Sequence, residues 1–179
     1  MQHKNIKILA ISGSLRHSSS NTAIIKQIKK MLPDNVEYII YEGLGSIPHF
    51  NDAADVPDVV NDWRKQIAEA DAALFCSPEY AFGIPGTLKN ALDWTVGSVA
   101  FSDKPVALIT ASSVGDKAHA SLQQTLTALG TRMIDSLLIS YVRMKLNEKG
   151  EITDGDTLKA VQSLVDKLVS SAQTKTKLP

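Results

Sequence analysis

Two short segments hold most of the residue types that could do chemistry. The first, Gly13-Ser14-Leu15-Arg16-His17-Ser18-Ser19-Ser20-Asn21-Thr22, packs five hydroxyls, one guanidinium and one carboxamide between an apolar run and a helical pattern. A helix start leaves backbone N–H groups without partners, and the helix dipole adds to their pull on an anion. Ser hydroxyls can satisfy phosphate oxygens while Arg16 supplies charge, and Asn21 is a candidate N-cap. The same residues also make an ordinary polar capping loop. The second segment, Ser77-Pro78-Glu79-Tyr80-Ala81-Phe82-Gly83-Ile84-Pro85-Gly86, is shaped by two prolines and two glycines and carries two aromatic rings. Such a loop can border a flat ring and offer backbone N–H groups to its edge. Equally, Tyr80 and Phe82 can simply cover the core.

The elements around these segments say where they lie. Residues 6–12, with a continuous apolar core at Ile8-Leu9-Ala10-Ile11, the largely apolar stretches 72–77 and 105–111, a β-rich run at 36–41 and residues 133–139 predict five strands. Between them, Ile24, Ile28 and Met31, then Val59, Val60, Trp63 and Ile67, recur at helical spacing. So do Leu88, Ala91, Leu92 and Thr95, then Leu122, Leu126 and Leu129 before Gly130, and finally Leu158, Val161, Val165 and Leu168. Gly130 is the expected C′ glycine of the fourth helix. Five β-α units with buried strands predict a doubly wound α/β three-layer sandwich with a five-stranded parallel sheet. In strand order 2-1-3-4-5 the loops after strands 1 and 3 flank the switch point, which is where a ligand binds; flavin mononucleotide (FMN) is one that does so. Both polar segments are those loops.

Composition narrows the alternatives. The chain has 179 residues, 44% hydrophobic and 21% charged, with nineteen basic and nineteen acidic side chains. That is the make-up of a globular protein, with no repeat or linker, and residues 1–179 read as one domain with a frayed tail at about 174–179. Zero net charge gives no general attraction to nucleic acid or membrane. The apolar run after residues 1–5 is too short for a secretory signal or a membrane span. The lone Cys76 cannot form an internal disulfide, which suits a reducing, cytoplasmic setting. The patterns G-x-G-x-x-G, G-x-x-x-x-G-K-S/T and G-x-S-x-G are absent.

The motifs themselves resemble those of a known family, the NADPH-dependent FMN reductases of the flavodoxin-like superfamily, the group with bacterial quinone, chromate and azo-dye reductases. Its first motif, G-S-x-R-x-x-S-x-N, is matched in full by Gly13 to Asn21. Its second, P-E-Y-N-x-S-x-P-G-x-L-K-N-A-I/L-D-W, corresponds to Pro78-Glu79-Tyr80-Ala81-Phe82-Gly83-Ile84-Pro85-Gly86-Thr87-Leu88-Lys89-Asn90-Ala91-Leu92-Asp93-Trp94. Ile47-Pro48-His49-Phe50-Asn51 is similar to the family's loop after strand 2, and the likeness extends over residues 6 to 140. The resemblance implies a flavodoxin-like fold. It implies that Ser14, Arg16, Ser19 and Asn21 hold the FMN phosphate. Glu79, Tyr80, Ala81 and Phe82 would contact the isoalloxazine ring, largely through backbone, with Ser113 nearby. Ser20, Pro78 and Gly83, in the same loops, complete the candidate cofactor set. It further implies NADPH or NADH as donor, a quinone, azo compound, free flavin or metal oxyanion as acceptor, ping-pong kinetics, and a homodimer or homotetramer. Ala81 and Gly83 stand where the family has Asn and Ser, and Asp116-Lys117-Ala118 follows Gly115 where it often has a Gly pair.

Other readings remain at this point. A flavodoxin-like carrier of single electrons would typically be acidic, and this chain is neutral; a module that no longer holds flavin is a third. Cys76 and Trp63 read as core, Trp94 as a possible subunit contact, and Asp71 as a turn residue. Glu79 reads as a hydrogen-bonding residue in preference to an acid or base, because a flavin carries the redox step itself. The four histidines show no metal-ligand spacing, and His17 either reaches a phosphate or is solvated.

Overall fold

A computed structural model describes residues 5–52 and 54–175. Its five strands are β1 (Ile6–Ser12), β2 (Val36–Tyr41), β3 (Ala72–Ser77), β4 (Pro105–Ala111) and β5 (Arg132–Ile139). They form one sheet of order β2-β1-β3-β4-β5, parallel throughout. The α-helices are α1 (Ser20–Lys29), α2 (Asp58–Glu69), α3 (Gly86–Asp93), α4 (Asp116–Ala128) and α5 (Gly155–Lys175). The proposed tail begins inside α5, and residues 176–179 lie outside the described residues, as do His3 and the first residues of the N-terminus.

Strand side chains alternate between two cores. Ile6, Ile8 and Ala10 of β1, with Leu74, Cys76, Ala107 and Ile109, meet Ile24 and Ile28 of α1 and Val161, Leu164 and Leu168 of α5. Leu9 and Ile11, with Phe75, Val106 and Leu108, meet Val60, Trp63 and Ile67 of α2, Leu88 and Leu92 of α3, and Leu122 and Leu126 of α4. With both faces covered, the middle of a central strand is apolar on both sides, which is why Ile8–Ile11 of β1, Ala72–Cys76 of β3 and Val106–Ile109 of β4 read as unbroken apolar runs. Trp94 is fully buried here, so it offers no surface to another subunit. Its Nε1–H donates to the Pro48 carbonyl at 2.8 Å, and its ring meets Phe50 edge-on at 5.2 Å. Asn90 donates to the same carbonyl and accepts from the Phe50 N–H. The second motif thus clamps residues 48–50 beside α3.

Helix ends follow ordinary capping rules. Gly130 has φ 75 just past α4, as the C′ position asks. Asp71 accepts from the Lys7 N–H at 2.8 Å and closes the approach to β3. Lys104 is buried, and its ammonium donates to the carbonyls of Ala68 and Ala70 at the end of α2. A cation there satisfies orphan carbonyls and complements the helix dipole. Replacing it strands those carbonyls, so Lys104→Met is expected to lower stability by about 2 kcal/mol, the scale of charge-assisted hydrogen bonds. Chemical denaturation checks this; an unchanged midpoint would contradict the role given to Lys104.

Candidate functional site

The carboxyl edge of the sheet draws the two polar loops together. Gly13 continues the β1–β3 pairing through its N–H to the Cys76 carbonyl at 2.9 Å. A Cβ at Gly13 would lie 2.4 Å from Ser77 Oγ and 2.8 Å from Ser77 Cβ, so only glycine lets the first loop pass this close to β3. Beyond it, Ser12 Oγ pairs with Thr22 Oγ1 at 2.9 Å. Ser14 Oγ accepts from the Arg16 N–H at 3.3 Å and lies 3.4 Å from the Tyr80 hydroxyl.

The cap of α1 differs from the sequence expectation. Ser19, not Asn21, is the N-cap: its backbone is extended (φ −89, ψ 126) and its side chain accepts from the Thr22 N–H. Asn21 is already helical and points into the sheet. Its Nδ2 donates to the Ala111 carbonyl at 3.1 Å, and its Oδ1 accepts the Cys76 S–H at 3.3 Å. Only an extended residue before the first turn can cap, and Asn21 instead ties α1 to the ends of β3 and β4. Burial pushes the Cys76 thiol far above its ordinary range, so it stays protonated and donates. The N–H groups of Ser20 and Asn21 make no hydrogen bond among the described residues, leaving two donors at the mouth of α1.

The second loop is braced from beneath. Glu79 accepts from Gly115 N–H at 3.3 Å and Ala118 N–H at 2.9 Å, placing a carboxylate at the N-terminus of α4, where the dipole favours it. Glu79 N–H donates to Ser112 Oγ at 3.3 Å. Tyr80 and Gly83 then exchange backbone hydrogen bonds of 3.1 and 2.9 Å around a two-residue turn. Both central residues are left-handed, Ala81 at φ 48 and Phe82 at φ 59, as in a type I′ turn, a position that glycine and asparagine fill most easily.

Between these loops lies an open cleft of about 280 Å³. Ser14, Arg16, Ser19, Ser20 and Asn21 line one side, and Pro78, Glu79, Tyr80 and Ser113 the other. Ala81, Phe82 and Gly83 do not line it; they form the turn beyond Tyr80, with Phe82 78% exposed. Sequence reasoning missed the segment after β5. Tyr141 and Val142 donate backbone N–H groups to the Ser113 and Ser112 carbonyls, and a 3-10 turn (Val142–Met144) brings Arg143 to the cleft that Arg16 also lines. The switch-point rule singles out the loops after β1 and β3, but β5 ends on the same edge, and Tyr141-Val142-Arg143 could have been read there. His17 faces the neighbouring groove, not this cleft. No group of three or more His, Cys, Asp or Glu residues able to hold a metal occurs among the described residues. No helix among them is long and apolar enough to cross a membrane.

Residues 6–142 match the family model described as NADPH-dependent FMN reductase. An NAD(P)H-dependent FMN reductase of Pseudomonas aeruginosa is 33% identical over 174 residues, covering 92% of this chain and 94% of that protein. A 2-hydroxy-1,4-benzoquinone reductase of Burkholderia sp is 31% identical over 174 residues, covering 90% and 93%. Among solved structures, the flavoenzyme NAD(P)H:(acceptor) oxidoreductase FerB from Paracoccus denitrificans superposes with a TM-score of 0.81 at 30% identity, covering 94% of this chain and 98% of that one.

The turn and the support beneath the cleft each give a measurable outcome. Asparagine enters the left-handed region more readily than alanine, so Ala81→Asn is expected to raise stability by about 1 kcal/mol; a thermal or denaturant midpoint that falls would contradict the strain assigned to Ala81. His119, on α4, shares a 2.9 Å hydrogen bond with Thr110 Oγ1, and burial lowers its pKa below the ordinary 6.5. The unfolded chain therefore takes up a proton first, and stability falls as pH drops from about 6.5 toward the folded value. His119→Asn should flatten that part of the stability–pH curve; a wild-type curve already flat there would contradict the shift.

Proposed function

The chain belongs to the NADPH-dependent FMN reductase family, and on that footing we propose that it is an NAD(P)H-dependent flavoenzyme holding FMN non-covalently in the cleft between α1 and residues 78–83. The observation that carries this reading is the pairing of two kinds of surface in one cleft. One end offers the free N–H groups of Ser20 and Asn21, the hydroxyls of Ser14 and Ser19, and the guanidinium groups of Arg16 and Arg143, the donor set a phosphate dianion needs. The other end is a braced backbone with Tyr80 at its rim.

Bound FMN would supply the redox chemistry, taking a hydride from NADPH or NADH and passing two electrons to an acceptor such as a quinone, azo compound, free flavin or metal oxyanion. What the chain does is hold and orient. Ser14, Arg16, Ser19 and Ser20 grip the phosphate, and Asn21 contributes its N–H while its carboxamide stays bonded to β4. Pro78, Glu79 and Tyr80 would border the ring inside the cleft, largely through backbone, with Ser113 on the same side, and Ala81, Phe82 and Gly83 would meet the part of the ring that projects past Tyr80. Glu79 is not a proton donor in this account, because its carboxylate is spent on the N–H groups of α4. The cleft is open on one side, so donor and acceptor use the same face in turn, which is ping-pong kinetics. Exposed Phe82, Tyr141 and Met144 surround it, a surface suited to a neighbouring subunit in a homodimer or homotetramer. The single thiol is buried and inert, which suits a cytoplasmic setting.

One sample reads most of this. Protein supplied with FMN and freed of excess should be yellow, lose its flavin absorbance in a single two-electron step on anaerobic addition of NADPH or NADH, and scatter light as two or four chains. Colourless protein, or bound flavin that neither nicotinamide bleaches, would contradict the reading.

A further inference from the structure

A second concavity adjoins the cleft. It is a groove of about 600 Å³ between the outer face of α1 and the segment joining β5 to α5. Ser18, Ser19, Ser20 and Arg143 line both, so the two are continuous across the mouth of α1. The far wall is a tight hairpin that lies beyond the residues matched by the family model. Leu146 and Ile152 pair across it, Asn147 N–H donates to the Glu151 carbonyl at 2.9 Å while Asn147 Oδ1 accepts from the Glu151 N–H at 2.9 Å, and Gly150 turns it at φ 78. It is docked against α1. Ile152 N–H donates to Gln27 Oε1 at 2.8 Å, and a Cβ on Gly150 would lie 2.8 Å from Ala23 Cβ. The groove therefore has two fixed walls.

Its charge is unlike that of the chain as a whole. Lys26, Lys30, Arg143 and Lys149 line it against two carboxylates, Glu148 and Glu151, in a protein whose formal net charge is zero. Glu151 is engaged by Lys30 at 3.8 Å and by Asn147 Nδ2 at 3.1 Å. Lys26 and Lys149 have no ion-pair partner among the described residues, so each is available to a ligand. They come from opposite walls, α1 and the hairpin tip, and can grip a multivalent anion from two sides.

We propose that this groove receives the phosphorylated adenosine end of NADPH, with Lys26 and Lys149 on its phosphomonoester and Arg143 at the junction with the flavin cleft. The inference rests on the flavoenzyme reading above, which requires a nicotinamide ring over the cleft. A dinucleotide is longer than FMN, and its adenosine end must leave the cleft. The groove is a continuous exit across the mouth of α1, and its surplus charge matches a phosphomonoester that NADPH has and NADH lacks. The chain should therefore prefer NADPH to NADH.

The test uses the FMN-loaded protein and a probe that transfers no electrons. Calorimetric titration with adenosine 2′,5′-bisphosphate should give an affinity at least about tenfold above that for adenosine 5′-monophosphate, the scale of one charge-assisted contact. The Lys26→Gln/Lys149→Gln double variant should lose that difference, and its kcat/KM for NADPH should fall about tenfold while that for NADH holds. Lys29→Gln, on α1 but outside the groove, should change neither. Equal affinity of the two nucleotides for the wild type, or an undiminished NADPH preference in the double variant, would overturn the proposal. Bleaching of the flavin by NADH reports separately on the flavoenzyme reading, so the two can fail independently.

Discussion

A helix that begins over the carboxyl edge of a parallel sheet presents its first N–H groups to whatever lies there, and in this chain two side chains decide where those groups sit. Ser19 satisfies the third N–H and sets the backbone entry to α1. Asn21 reaches from the second helical position to the Ala111 carbonyl and the Cys76 thiol, so α1 is registered on β3 and β4 at once. What is left over is a pair of donors, at Ser20 and Asn21, in a fixed place. Pre-positioned donors of this kind bind an anion without the ordering cost that flexible side chains would bring.

The rest of the edge is arranged around that point. Gly13 lets the first loop lie against Ser77, and Ser14 meets the Tyr80 hydroxyl, so the first loop is in contact with the second. Glu79 links the second loop to α4, and the Ser112 and Ser113 carbonyls link the loop after β4 to Tyr141 and Val142. A cofactor held by one loop, as proposed, would therefore be framed by all four. The left-handed Ala81 and Phe82 are the costly part of this frame. Backbone strain of this kind persists where the surroundings hold it, and here the Tyr80–Gly83 bonds and the Glu79 brace do so.

Much of this was legible before any coordinates. Apolar runs without alternation located the buried strands, and the start of β5 was missed by one residue because Arg132 is exposed at the sheet edge. The loops at residues 13–22 and 77–86 were recognisable because hydroxyls, Arg16, prolines and glycines cluster where a strand ends. The division of labour within them was not. Ser19 and Asn21 are both good capping residues, and only backbone geometry separates them. Trp94 has the composition of an interface residue and is buried because Pro48, brought in from 46 residues away, accepts its N–H. Arg143 was missed because nothing local in Tyr141-Val142-Arg143-Met144 marks it; its place in the cleft follows from β5 ending on the same edge as β1 and β3.

In the proposed complex the mouth of α1 holds the phosphate end of the cofactor. Titrating the flavin-free protein with FMN and with riboflavin, which has the same ring and no phosphate, isolates that contribution. Two or more charge-assisted hydrogen bonds predict that FMN binds roughly a hundredfold tighter or better. Equal affinities for the two flavins would contradict the account.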